Sequence, residues 1–441
     1  MNFSKNIIFF ISCLVLVASS STEAAVKVPS EIISMGGRNK VAIVVEKSSQ
    51  KMFVYRYDGE YHEDMAVRCS TGKLAGRKEL SGDQKTPEGV YFFTGKYFQK
   101  DLSPVYGALA FPVDYPNQID KEVGRTGYAI WLHGTDRELM PRDSNGCVAL
   151  ENSNLKTVEK LIELDYTPII FVDEIEYRAP DTQPEIKKQV HSLLKSWAKS
   201  LQAGSYHDYL SWYSPEYAPD IRWWNTWQRL RNIVGDSLSV ILKSLSIYKD
   251  GDLYVIIFEE NLRYDGADKR VGVKKMYLST EDGGLKIRGE KYKFIHYAEN
   301  KKSAEPKEPP VLSAINAVIE RRKLKKQVAL KKHIKSRILK WASLWSEGNI
   351  KAYAGYYSNA FASSGMDKAA WVNRKKYLGS TYKYINVNIS DLNVAPGESR
   401  VIVSFNQDYK SSGYSATGHK TIVMVNEDEE WKIIQEIWKK S

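Results

Sequence analysis

Residues 132–150 read LHGTDRELMPRDSNGCVAL. His133 and Cys147 stand fourteen positions apart, and the cysteine closes a Ser-Asn-Gly turn. A cysteine is a useful nucleophile as a thiolate, which a neighbouring imidazole or aimed backbone N–H groups favour. Gly146 lets the chain turn tightly beside Cys147, so a carbonyl can approach and backbone amides can face a developing oxyanion. The Ser144 hydroxyl can brace that turn. His133 ends an apolar, strand-like run and is followed by Gly134. The same spacing also suits a buried structural cysteine or a disulfide with Cys69, and the local residues leave these readings open.

Outward from this stretch, residues 40–175 are strand-rich. VAIVVEK (41–47), KMFVYRY (51–57), MAVRCS (65–70), VYFFTG (90–95), YAIWLH (128–133) and PIIFVD (168–173) are short β-branched and aromatic runs. Gly, Pro, Asp and Ser clusters separate them. Asn152 and Ser153 are candidate caps for a helix in which Leu155, Val158 and Ile162 recur at helical spacing. The His–Cys stretch is therefore expected between a strand and a helix, where rigid elements hold a functional loop.

Beyond YRAPDTQPE (177–185) the texture changes. Ile186, Val190, Leu193, Trp197 and Leu201 form a helical stripe that stops at Gly204, and Ile334, Ile338, Trp341 and Trp345 form another that stops at Gly348. At an offset of 144, identical residues fall at 197/341, 198/342, 204/348, 209/353, 213/357 and 214/358. Strand-like runs follow in each copy, which predicts a duplicated module of about one hundred residues. The aromatics Trp223, Trp224, Trp227, Tyr356, Tyr357 and Trp371 suit either a core or the wall of a binding pocket. The linker AENKKSAEPKEPP (298–310) separates the copies, and residues 320–340 carry ten Lys or Arg against one acid. That basic helix reads as a solvated face or as a contact with an anionic envelope surface.

A chain of 441 residues predicts several domains. MNFSKNIIFFISCLVLVASSSTEAA has the charged, apolar and small-residue order of a secretory signal, so residues 1–25 are expected to be removed on export to the periplasm or cell envelope. For an exported chain, a net charge of +11 points to an anionic envelope polymer rather than nucleic acid. The seven histidines are scattered singly, with no metal-ligand pair, so neither metal nor cofactor is expected.

Three ordered stretches resemble the L,D-transpeptidase family with its YkuD-like catalytic domain. They are VAIVVEKSSQKMFVYRYDGEY, CSTGKLAGRKELSGDQKTPEGVYFFTGK (69–96), and LHGT followed by SNGCVAL. The duplicated modules resemble nuclear transport factor 2-like domains. Together these resemblances imply a multidomain chain with a β-rich YkuD-like catalytic domain at 38–176 and two α+β cones at 185–298 and 331–441. A basic linker and helix at 299–330 joins the cones. The family pattern implies Cys147 as nucleophile and His133 as general base, with the Gly134 carbonyl orienting the imidazole. It places the amides of Gly146 and Cys147 at the oxyanion, in a turn shaped by Ser144 and Asn145.

Family substrates are stem peptides of peptidoglycan. The implied reaction expels D-Ala from a tetrapeptide to form a thioester, which an amine resolves as a 3→3 cross-link. Water in place of the amine would make the protein an L,D-carboxypeptidase, and a non-catalytic wall-binding scaffold is the reading from another class. Two positions depart from the pattern: Asn145 where many members have histidine, and Ala149 where many have Arg or Asn. Arg142 is the candidate to hold an anionic substrate group in their stead.

Overall fold

The run Val41–Glu46 is apolar at nearly every position, which suits a strand covered on both faces. In the computed structural model it lies at the centre of a five-stranded sheet. The model describes residues 27–37, 40–164, 166–180, 182–294 and 308–441, with the backbone alone at 296–297. The expected signal peptide at 1–25 and most of the linker at 298–310 lie outside the described residues. The chain divides into two compact units, one up to Asn316 and one from Ala317. The expected catalytic stretch and first cone share the first unit.

In that unit, β1 (Val41–Glu46), β2 (Lys51–Tyr57) and β3 (Tyr61–Arg68) form an antiparallel meander. The strand Pro168–Val172 runs parallel to β1 and antiparallel to Gly89–Phe92, completing the order 61–68, 51–57, 41–46, 168–172, 89–92. A second sheet contains Gly95–Phe98, Leu109–Pro112, Trp131–Thr135 and Val148–Glu151. Successive side chains of β1 point to opposite faces. Ile43 and Val45 meet Leu132, Val148, Leu150 and Phe111 of the second sheet in one core. Ala42 and Val44 turn the other way, into a second core with Phe92, Tyr248, Val255, Ile257 and Tyr277.

That second core is shared with the first cone. Its helix Pro184–Ala203 stops at Gly204, which takes a left-handed φ of 69° as the C-cap reading requires. Strands Ser239–Asp250, Leu253–Tyr264, Ala267–Glu281 and Gly284–Tyr292 follow as an antiparallel sheet. The short strand Ile32–Ser34 extends that sheet by pairing with Ser239–Asp250, so chain from before the catalytic stretch is stitched into the cone.

The second unit repeats the pattern. The helix Pro310–Ser346, into which the boundary expected at 331 falls, leads through helices Ile350–Ala354 and Lys368–Thr381 to a four-stranded antiparallel sheet over residues 385–440. Both copies carry the same buried polar contacts. The Trp197 indole donates to Tyr213 Oη at 3.1 Å, and Trp341 donates to Tyr357 Oη at 3.0 Å. Tyr213 reaches Glu290 and Lys274 pairs with it; likewise Tyr357 reaches Glu436 and Lys420 pairs with that. Trp227 and Tyr357 are fully buried, on the core side of the alternative left open for the aromatics, whereas Trp223 also lines a cavity in the first cone.

A fragment of residues 27–180 would expose the Ala42–Val44–Phe92 face of the central sheet, whereas 27–316 keeps it covered. The longer fragment is expected to be soluble and to melt in one cooperative step, and the shorter to aggregate. Equal solubility and cooperative calorimetric melts for both would contradict the shared core.

Candidate active site

Trp131–Thr135 and Val148–Glu151 are neighbours and parallel, with Val148 level with Leu132 and Ala149 level with His133. Cys147 is therefore level with Trp131, and alternation puts Trp131 and His133 on one face of the sheet. Cys147 and His133 consequently line one cavity of about 300 Å³, together with Tyr106, Lys73, Arg137 and Asn145. The rings of Tyr106 and His133 meet at right angles, with centroids 5.1 Å apart. The same stretch that read as a loop thus holds the strand Val148–Glu151, and the nucleophile candidate sits at its mouth.

The imidazole has a defined tautomer. His133 Nδ1 lies 2.6 Å from the Gly134 carbonyl oxygen. A carbonyl only accepts, so Nδ1 carries the proton and Nε2 keeps its lone pair. Burial pushes the His133 pKa down, and the Gly134 contact only partly opposes it. Cys147 is half-buried, with Sγ 3.4 Å from the Ala129 carbonyl. Burial raises its thiol to about 11, against opposing effects from the Trp131 backbone N–H and the Lys78 charge. The resting pair is therefore thiol and neutral imidazole. Cys69 is free and buried, with its thiol pushed up to about 12 by desolvation. The Cys69–Cys147 disulfide left open by the sequence is not formed.

The turn before Cys147 is held from several sides. Gly146 has a φ of +126°, and a Cβ there would lie 2.8 Å from the Lys85 carbonyl. Ser144 Oγ donates to the Cys147 carbonyl at 2.6 Å and accepts the Gly146 N–H at 3.0 Å. Of the two amides expected at an oxyanion, the Gly146 N–H is thus already engaged, which leaves the Cys147 N–H. Asn145 is exposed at the cavity. Arg142 is not part of the cavity lining: its Nη2 donates to the Lys47 carbonyl at 3.1 Å.

Residues 40–171 match the family model of the YkuD L,D-transpeptidase catalytic domain. This part of the chain is a YkuD-type domain. Residues 333–437 match the Cds6 C-terminal NTF2-like domain. Among solved structures, the chain is similar to Bd1075 of Bdellovibrio bacteriovorus at 19% identity and a TM-score of 0.34, over 94% of this chain and 99% of that one. It is also similar to the helical cell shape determining protein Pgp2 of Campylobacter jejuni, at 26% identity and a TM-score of 0.46, over 59% of this chain and 95% of that one. No curated protein matches. No group of His, Cys, Asp or Glu among the described residues could hold a metal.

Several supports of the YkuD site escaped sequence reading. Thr86 Oγ1 accepts the Gly72 N–H at 2.9 Å and donates to the Gly146 carbonyl at 3.0 Å, tying two motif stretches together. Gln50 Oε1 accepts from the N–H groups of both Thr71 and Arg142. Asn152, expected as a helix cap, has a different role. The helix begins at Asn152 itself, whose Oδ1 accepts from Ala108 N at 3.0 Å. A Cβ on Gly134 would stand 2.0 Å from that oxygen, so the glycine after His133 is required by the approach of Asn152.

Thr86→Val keeps the shape but leaves the Gly72 N–H and Gly146 C=O unpaired. It should lower stability by about 1–3 kcal/mol in thermal denaturation. Iodoacetamide labelling of Cys147 in the free protein should be slow at pH 7 and rise steadily into the alkaline range, because burial raises the thiol pKa. Rapid labelling at pH 6–7 would show instead a thiolate–imidazolium pair.

Proposed function

We propose that the protein is an exported cysteine L,D-transpeptidase acting on peptidoglycan stem tetrapeptides. The observation that carries this reading is the His133 tautomer. With Nδ1–H bound to the Gly134 carbonyl, Nε2 is the nitrogen left to exchange a proton in the cavity that Cys147 also lines. Cys147 Sγ attacks the carbonyl of the L-centre of diaminopimelate, and its proton passes to His133 Nε2 as the S–C bond forms. The Cys147 N–H meets the oxyanion. Collapse breaks the C–N bond to D-Ala, and the imidazolium returns the proton to the departing amine. An acceptor amine then attacks the thioester, the C–S bond breaks, and the amine's proton returns to sulfur through His133, giving a 3→3 cross-link.

The substrate's carboxylates are assigned to Lys73 and Arg137, which line the cavity, while Arg142 stays with the Lys47 carbonyl. Export rests on the order of residues 1–25. The mostly exposed basic face of residues 320–340 is assigned a contact with an anionic envelope surface, supported by its charge and exposure.

The test is mass spectrometry of tetrapeptide muropeptides incubated with the mature protein. Loss of D-Ala with new cross-linked dimers is expected, abolished in Cys147→Ala and slowed by about 10²–10⁴-fold in His133→Gln. Tripeptide without dimers would mean that water is the acceptor, and no loss of D-Ala would leave a scaffold. Because burial lowers the His133 pKa, the base stays neutral into acid. The acid limb of kcat/KM should therefore have its midpoint below the ordinary histidine value of about 6.5. A midpoint above that value would contradict the role of a desolvated His133 as base.

A further inference from the structure

The sulfur of Cys147 has a second support besides its own turn. Sγ lies 3.4 Å from the Ala129 carbonyl, and the Trp131 N–H lies against the same atom. Both groups belong to residues 127–131, whose backbone is unusual: Gly127 has a φ of +126°, and Ala129, which carries a side chain, a φ of +55°. A left-handed φ on such a residue persists only where the surroundings impose it. Here they do so from several sides. The Thr126 N–H donates to the Glu79 carbonyl at 2.9 Å, and the Val113 N–H to the Ile130 carbonyl at 3.0 Å. The Ile130 side chain reaches Gly146, where a Cβ would stand 3.2 Å from its Cδ1.

Lys78 underlies the start of this stretch. A Cβ on Gly127 would fall 2.8 Å from Lys78 Cε, so the lysine is admitted only because a glycine stands there. Lys78 is 3% exposed, and a buried ammonium needs partners. Asp83 pairs with it at 2.6 Å, and the Leu80 carbonyl accepts a further N–H at 2.9 Å. The Asp83 carboxylate is itself fixed by the N–H groups of Glu79, Leu80 and Lys85. Burial pushes the Asp83 carboxyl up, but Lys78 and those N–H groups hold it down at about 2, so it is a carboxylate at neutral pH. Tyr115 also meets Gly127, and the other charges around its ring, Asp120 and Glu79, are paired with Arg125 at 3.0 and 3.3 Å. An aliphatic side chain would fill the place of Lys78 without desolvating a charge. The charge reaches Cys147, where it works against the burial that raises the thiol.

We propose that Lys78 is a positioning residue for Cys147: its ammonium, fixed by Asp83, holds residues 127–131 against the sulfur and offsets the negative charge that sulfur acquires in the reaction. That charge builds twice in the proposed sequence, when His133 takes the thiol proton and when the thioester C–S bond breaks. The part played in turnover rests on the function proposed above, whereas the effect on the resting thiol does not.

The experiment labels the mature protein with iodoacetamide at pH 8 and reads the Cys147 peptide by mass spectrometry. Lys78→Met, which loses the cation, should label about threefold or more slowly than the parent. Asp83→Asn, which leaves the lysine without its opposing carboxylate, should label about threefold or more faster. A merely structural role would loosen the site in both variants and move both rates the same way. Shifts of one sign, or none, would therefore overturn the proposal. Should Lys78→Met not fold, the double variant Lys78→Met/Asp83→Asn takes its place. It should label more slowly than Asp83→Asn, and an equal rate would overturn the role of the charge. D-Ala release from tetrapeptide is read separately, with kcat expected to fall about threefold or more in Lys78→Met at little change in KM. An unchanged kcat would overturn the part played in turnover. Absence of release in the parent sinks only the transpeptidase reading and leaves the labelling result in force.

Discussion

A sheet with apolar side chains on both faces has no side to present to water, and β1 imposes this condition on the first unit. Ile43 and Val45 are covered by the sheet that carries His133 and Cys147, while Ala42 and Val44 are covered by the cone. Each fully buried aliphatic side chain contributes about 1.5–3 kcal/mol relative to exposure, so neither cover is dispensable. The cone is therefore part of the catalytic domain's solvent shield, whatever else it binds. Pairing of Ile32–Ser34 with Ser239–Asp250 adds main-chain hydrogen bonds to the same attachment. The ion pair of Asp114 with Lys275 joins the same two parts of the first unit.

The chemistry at Cys147 follows from burial more than from charge. A thiolate–imidazolium pair needs each partner to stabilise the other's charge in a site that repays their desolvation. Here desolvation leads both shifts, upward for the thiol and downward for the imidazole. Both shifts favour the neutral forms. In the proposed reaction such a pair transfers its proton during attack, which would make an incoming carbonyl and the remaining Cys147 N–H part of what renders sulfur reactive. Lys78, buried and paired with Asp83 at 2.6 Å, biases the thiol slightly the other way without contacting it.

Much of this was legible in the chain. The run KMFVYRY became the strand Lys51–Tyr57 without adjustment, and the Gly204 stop and the duplicated Trp–Tyr pattern folded as read. The strands Gly95–Phe98, Leu109–Pro112 and Val148–Glu151 were missed because each is four residues long and bounded by Gly, Pro or the Ser144–Gly146 turn. Local propensity is weak at that length. Arg142 was misplaced for a different reason. Its backbone takes a φ of +52° and its N–H is fixed by Gln50, ninety-two residues earlier, which swings the guanidinium to Lys47. Asn152 similarly looked like a cap because the alternative acceptor role exists only once Gly107 and Gly134 are folded around it. Contacts of that range leave no periodicity to read.

Duplication preserved a geometry while changing its charge. Phe258 and Phe405 make the same edge-on contact with Trp197 and Trp341, at 6.3 and 6.2 Å, which makes Glu260 and Gln407 equivalent two residues on. In the first cone Lys274 lies between the carboxylates of Glu260 and Glu290, one cation against two acids. In the second, the amide of Gln407 replaces one acid, and Lys375 approaches Glu436 and Lys420 over the rings of Trp345 and Trp371. With the partly buried Lys375 at its edge, that core has two cations against one acid. It relieves the excess by pushing Lys375 down to about 7, through desolvation first and repulsion from Lys420 second. The Gln407 Oε1 is left without a partner in the same core. A buried Trp–Tyr–Glu–Lys framework thus survives in both copies because its hydrogen bonds must close, whereas the balance of charge around it was free to diverge once the two copies no longer served the same surroundings.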